Sequence, residues 1–398
     1  MTSSRLALLF AVALAALAGV YAALGGWGRG GPLAPETGLS LGATLEGVGF
    51  SQVEGPRAFR FPADHGSHPA YRSEWWYFTG NLEDTLGGEY GFQLTFFRSA
   101  LVPDSGEGGK PAPWGARQAY MAHLALTEVG SGRFHAFERF SRASLGLAGV
   151  RTGPLRIWLE DWSCASEAGD TSLFPLKLNA AQGKVALDLR LEAGKPMVLQ
   201  GDAGFSRKGT GEGNASYYYS FPRMPVRGNI TTPTGVLTVV GAAWMDHEWG
   251  SSVLLPGTAG WDWFALQLSD SSEYLFFRLR KGGRPSTGDA ASRAATSKEA
   301  MFLDYGIRIG PGGETRRFSS ADMRAEIRSV WKSPRGRTYP ARWRITVVPE
   351  ALELEVTPKL PDQELNLSIP YWEGAVRIRG RRAGRSVEGR GYMELTGY

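Results

Sequence analysis

From Trp75 onward the chain alternates apolar and polar residues in short runs separated by turn-forming clusters, the two-residue period of strands that bury one face. Residues 75–82, 90–98, 118–128 and 155–162 follow this pattern, and the Asp and Gly pair within 84–88 predicts a hairpin between the first two. The second half opens in the same way, with a run at 263–268, a turn at 269–272 and a run at 274–278. Both hairpins begin with an aromatic pair and end in Phe-Phe-Arg, which predicts a duplicated unit. Further strands are expected within 342–357, 373–379 and 386–395. The polar stretch 281–298 has no period and reads as a mobile loop, either a lid or a plain insertion.

Composition sharpens this to an all-β protein. The 398 residues include 53 Gly, 23 Pro and 12% aromatics, a mixture suited to many strands and turns and poor for helices. The length exceeds one ordinary core, so two tandem antiparallel β-barrel domains of roughly 170 residues each are expected. The Pro-, Arg- and Thr-rich stretch 222–234 suggests a boundary near Gly228, giving an N-terminal domain at 57–228 and a C-terminal one at 229–398.

Arg5 followed by the apolar run 6–24 reads as an export signal within residues 1–24, with a Gly- and Pro-rich linker over 25–56. Ala16-Leu17-Ala18 offers a cleavage site, yet the run is long enough to act as a signal anchor. The expected location is therefore periplasmic, either free or held to the outer face of the inner membrane by this segment. Cys164 is the single cysteine, which excludes an intrachain disulfide and a Cys-based zinc site. A net charge of +5 spread among 39 acidic residues gives no case for nucleic acid. The densest basic stretch, Arg377 to Arg385, reads as a solvent-facing strand edge or, alternatively, a contact for anionic lipid. No phosphate loop, dinucleotide fingerprint, nucleophile elbow or zinc-binding helix occurs, and neither a cofactor nor a metal is expected.

The candidate chemistry centres on Trp244-Met245-Asp246-His247-Glu248-Trp249-Gly250. In an extended segment Asp246 and Glu248 share one face and His247 takes the other, which argues against a shared metal. If Asp246 projects into an apolar cavity, desolvation favours its protonated form and makes it a general acid able to protonate a carbon–carbon double bond. The alternative is an ion pair that fixes a barrel rim. Glu74, Trp76, Tyr77, Gln93, Thr95 and His123 fall on strand faces that could line a ligand cavity or simply pack a core. Tyr217 and Tyr219 present phenols for hydrogen bonding or stacking. His65 and His68 sit in a Gly-containing stretch, read as surface loop or, less simply, as metal ligands.

The segments His68-Pro69, Glu74 to Gly80, Tyr90 to Arg98, Tyr217 to Ser220 and Trp244 to Gly250 together resemble the carotenoid 1,2-hydratase and AttH-like lipocalin family, including its bacterial secreted-hydrolase branch. The resemblance covers nearly the whole chain beyond the leader. It implies two lipocalin-like barrels with a cavity near their junction, and in the hydratase branch an aspartate at the position of Asp246 protonates the substrate double bond. Tyr217 and Tyr219 stand where those hydratases use His and Trp, a departure that bears on carotenoid itself as the substrate. The expectation is an enzyme of hydratase or lyase type on an apolar, isoprenoid-like small molecule, with Asp246 as acid supported by His247, Glu248, Tyr217 and Tyr219, and with Trp244 and Trp249 against the ligand. The alternatives are a non-catalytic carrier of a hydrophobic ligand and a secreted hydrolase.

Overall fold

The computed structural model describes residues 49–398 apart from 104–116, 170–171, 210–212, 252–257, 282–300 and 302. The expected export segment 1–24, the linker up to residue 48 and the loop beyond residue 281 lie outside the described residues.

The strands fall into two antiparallel sheets. The first holds β1 (Ser73–Asp84), β2 (Glu89–Ala100), β3 (Gln118–Glu128), β4 (Arg133–Arg142), β5 (Ala148–Arg151), β6 (Arg156–Leu159), β7 (Trp162–Ser166), β8 (Leu176–Gln182), β9 (Val185–Leu191), β10 (Val198–Leu199), β11 (Phe205–Arg207), β12 (Ala215–Thr232) and β13 (Gly235–Gly250). Their order is β4-β3-β2-β1-β13-β12-β9-β8-β7-β6-β5, with β10 and β11 also pairing with β12. The sheet curls until β4 meets the far end: Arg139 lies over the Trp162 ring at 4.5 Å and bonds the Ala181 carbonyl at 3.1 Å.

The second sheet holds β14 (Thr258–Leu268), β15 (Glu273–Lys281), β16 (Tyr305–Ile309), β17 (Thr315–Phe318), β18 (Met323–Lys332), β19 (Thr338–Val347), β20 (Leu352–Pro358), β21 (Glu364–Leu365), β22 (Tyr371–Arg382) and β23 (Arg385–Thr396). It runs β17-β16-β15-β14-β23-β22-β20-β19-β18, with β21 beside β22. Among the described residues the only helices are single 3-10 turns. This is the all-β, two-barrel lipocalin-like architecture that the alternation predicts.

Local patterning explains which faces are inside. In β9, Val185, Leu187, Leu189 and Leu191 are buried while the residues between them are partly exposed. β20 buries Leu352, Leu354 and Val356 and exposes Glu353 and Glu355. The end of β13 and most of β1 and β2 are instead buried on both faces. Their inner faces fill the first barrel, and their outer faces pack on the second through Tyr77, Tyr218, Trp244, Trp263, Ala375 and Tyr392.

Several boundaries differ from the sequence reading. Gly228 lies inside β12, and the passage between sheets falls between Gly250 and Thr258. Of the prolines that suggested a linker, Pro222 and Pro225 sit in β12, where a register shift between Phe221 and Met224 accommodates Pro222, and Pro233 sits in the turn to β13. The run 155–162 breaks at Glu160, which has a φ of 56°, and 342–357 is divided by the turn Val348–Glu350. The basic strand β22 is no edge, since it pairs with both β20 and β23, although Arg377 and Arg379 do face solvent.

Candidate functional site

Strands β1, β12 and β13 lie side by side, with Tyr77 opposite Asp246, Trp76 opposite His247, and Tyr219 opposite His247 from the other flank. Because side chains alternate across a strand, this register divides the expected site residues between two faces. Glu74, Trp76, Tyr217, Tyr219, His247 and Trp249 point into the first barrel. Tyr77, Gln93, Thr95, His123, Trp244, Asp246 and Glu248 point toward the second.

On the inner face, Glu74 is the hub. Its Oε1 accepts hydrogen bonds from His68 Nδ1 at 2.7 Å and His247 Nε2 at 2.9 Å, and its Oε2 accepts from Arg98 Nε at 2.8 Å and the His68 amide at 2.9 Å. Burial alone would raise the Glu74 carboxyl, but the bonds from His247 and His68 and the Arg98 charge outweigh it and hold the group well below the usual carboxylate range. His247 is fully buried, which lowers its pKa to about 4 against the pull of Glu74. Tyr219 Oη lies 2.9 Å from His247 Nδ1 and 2.8 Å from His65 Nδ1. Trp76 stacks on His247 with centroids 4.7 Å apart, and Tyr217 bonds the Gly55 carbonyl at 3.1 Å.

His65 and His68 are therefore not surface-loop residues. The segment leading into β1 crosses the barrel mouth and turns both rings inward, and Arg98 fastens it by bonding the carbonyls of His68 and Tyr71 at 2.9 and 2.8 Å. His68, Glu74 and His247 bring one ligand atom each within 4.8 Å of the others, a set a divalent ion could use. Both Glu74 oxygens already carry charge-assisted bonds, with Arg98 on one of them, so the carboxylate is satisfied by protein groups alone.

On the outer face, Asp246 is 4% exposed and accepts hydrogen bonds from Tyr218 Oη at 2.7 Å, Trp244 Nε1 at 2.7 Å and Ser220 Oγ. Burial raises its pKa to about 7, against the opposing effect of those three donors. Among the described residues no arginine bonds it; the Tyr218 hydroxyl instead accepts from Trp263 Nε1 of β14 at 3.4 Å. Glu248 bonds Ser216 and pairs with Lys208 at 2.6 Å. Gln93 donates to Thr95 at 3.1 Å and to the Tyr371 hydroxyl at 3.0 Å, and His123 Nδ1 lies 2.7 Å from that hydroxyl.

The second barrel adds acids that the sequence reading missed. Glu373 and Glu394 are opposite each other on β22 and β23, and burial holds both carboxyls above their ordinary range, with mutual repulsion adding to the rise in Glu373. The Tyr77 and Tyr371 hydroxyls lie beside the buried Glu373 carboxyl and lower its pKa against the larger effect of burial. The sequence signal for these acids was weak but present: Tyr371, Trp372 and Ala375 surround Glu373 with too much apolar surface for a solvent face.

The family model for AttH-like proteins matches residues 52–398. A Nitrosomonas europaea protein described as an AttH is 34% identical, with a TM-score of 0.72 over 88% of this chain and all of that one. Kievitone hydratase from Nectria haematococca gives a TM-score of 0.60 at 17% identity over 87% of this chain and 98% of that one. CghA in complex with Sch210972 gives 0.53 at 14% identity over 87% and 96%. At those last two identities the likeness is one of fold. No curated protein matches the sequence. The chain belongs to the AttH-like family.

Proposed function

We propose that the protein is a hydratase-type enzyme acting on an apolar, unsaturated small molecule at the junction of the two barrels, with Asp246 as the proton donor. The observation that carries this reading is the Asp246 carboxyl, buried between the barrels and raised to about 7, so that a large fraction is protonated near neutral pH. An acid protonated at working pH and aligned by three donors is arranged to deliver a proton.

In the hydration direction Asp246 transfers its proton to one alkene carbon, and the cation forms at the other. A water oxygen adds to that cation and returns a proton to the Asp246 carboxylate, which restores the acid. The surroundings are aromatic: Tyr77 meets Trp263 edge-on at 5.2 Å and Trp244 meets Trp263 at 6.4 Å. Tyr218, Ser220 and Trp244 position the acid, and the Glu373 carboxyl with the Tyr77 hydroxyl beside it offers a polar contact for a substrate oxygen. A kievitone hydratase of the same fold is consistent with this chemistry. The N-terminal apolar run supports placing the enzyme on the exported side of the inner membrane, where apolar substrates are at hand.

The test is incubation of the purified wild-type protein and Asp246→Asn with a bacterial membrane-lipid extract in H2(18)O, followed by mass spectrometry. A compound gaining one labelled water with wild type, and recovered unchanged from the variant, supports the proposal. Recovery of one unaltered compound from both proteins would replace it with the carrier reading.

A further inference from the structure

We infer that the first barrel contains a second polar site, independent of Asp246, in which a one-directional hydrogen-bond chain from Glu74 through His247 and Tyr219 leaves the Nε2 lone pair of His65 as a hydrogen-bond acceptor for a water or small alcohol in the cavity at the barrel mouth. The direction of the chain follows from counting donors and acceptors. The ionised Glu74 carboxylate can only accept, so His247 carries its proton on Nε2, 2.9 Å from Oε1. A neutral His247 then has a bare Nδ1, and the Tyr219 hydroxyl donates to it at 2.9 Å. Tyr219 has a single proton, so the 2.8 Å contact with His65 must be donated by His65 Nδ1. A neutral His65 is left with a bare Nε2.

Three further observations agree. Burial lowers the His65 pKa to about 3, as it lowers that of His247, so both rings are neutral at neutral pH. Tyr219 is fully buried and held well above its ordinary pKa, so it keeps its proton. His65 also lines a cavity of about 20 Å³ with Pro62, Thr152, Pro154, Leu155 and Leu173, enough for one water-sized molecule. The Trp76 indole fixes the His65 backbone by bonding its carbonyl at 3.1 Å.

The test is 15N NMR of histidine-labelled full-length protein at pH 7, which distinguishes the two ring tautomers. The expected result is His65 protonated on Nδ1 and His247 on Nε2, with Tyr219→Phe returning His65 to a mixture of both forms. Methanol should shift the His65 Nε2 resonance and leave His135, held by Glu128 at 2.8 Å, unmoved. A His65 protonated on Nε2, a tautomer unchanged in Tyr219→Phe, or a His65 resonance indifferent to methanol would each overturn the inference. None of these readouts involves Asp246, so the site stands or falls separately from the junction chemistry.

Discussion

Asp246 and His247 are adjacent in sequence and lie back to back across β13: the carboxyl bonds Tyr218, Trp244 and Ser220 at the inter-barrel junction, while the imidazole bonds Glu74 and Tyr219 inside the first barrel. The two groups share no hydrogen-bond partner. Asp246→Asn should therefore abolish product formation while leaving the His247 tautomer unchanged in the 15N spectrum.

The Asp246 carboxyl also predicts a pH dependence of stability. Folding raises its pKa from an ordinary 3.8 to about 7, so between these values the folded protein binds more protons than the unfolded chain. Stability from this group is then present in acid and is lost as pH rises through the window, by up to about 4 kcal/mol. Asn at this position does not titrate. The Tm of Asp246→Asn minus that of wild type should climb between pH 4 and pH 7 and then level off, measured by calorimetry at each pH.

Glu74 has the opposite sign and a larger structural role. Removing its charge leaves Arg98 buried without its carboxylate and frees the segment that carries His65 and His68. Glu74→Ala should cost about 3–5 kcal/mol in urea denaturation. A Glu74→Gln and Arg98→Met double variant should lose less than the sum of its single changes, because the second substitution removes the stranded cation.

Between the barrels, Glu273 of β15 is fully buried and bonds Lys195 at 2.6 Å and Arg223 at 2.5 Å, both from the first barrel. Burial raises its carboxyl and the two cations oppose that rise. Glu273→Ala should destabilise the protein by about 3 kcal/mol and divide a single calorimetric unfolding peak into two.

At Gly91 the two sheets approach closely. A Cβ there would lie 2.7 Å from the Ala375 Cβ and 3.0 Å from the Tyr392 hydroxyl. Gly91→Val should force the barrels apart, with faster proteolysis at the junction and loss of product formation, while near-ultraviolet dichroism of the separate cores persists.

The sequence displayed the strands well because alternation is a local property, as in Leu352 to Val356. It also displayed the split of Asp246 from His247, which needs only the two-residue period. What escaped it depends on distant contacts. His65 and His68 resemble loop residues until Arg98 pulls their segment across the barrel mouth. Glu373 and Glu394 resemble solvent-facing acids until the first barrel covers them. The Pro222 and Pro225 signal was a bulge within a long strand, and nothing local distinguishes that from a linker.

The burial of β13 on both faces also constrains how this chain can change over time. Inserting or deleting one residue before Trp244 would rotate the strand by half a pleat, sending His247 to the junction and Asp246 into the barrel interior. Both sites would fail together, from a change touching neither side chain. Insertions tolerated in this part of the family should therefore collect in the hairpin ends and at the passage after Gly250, and the spacing from Trp244 to Trp249 should stay fixed even where the residues between them diverge.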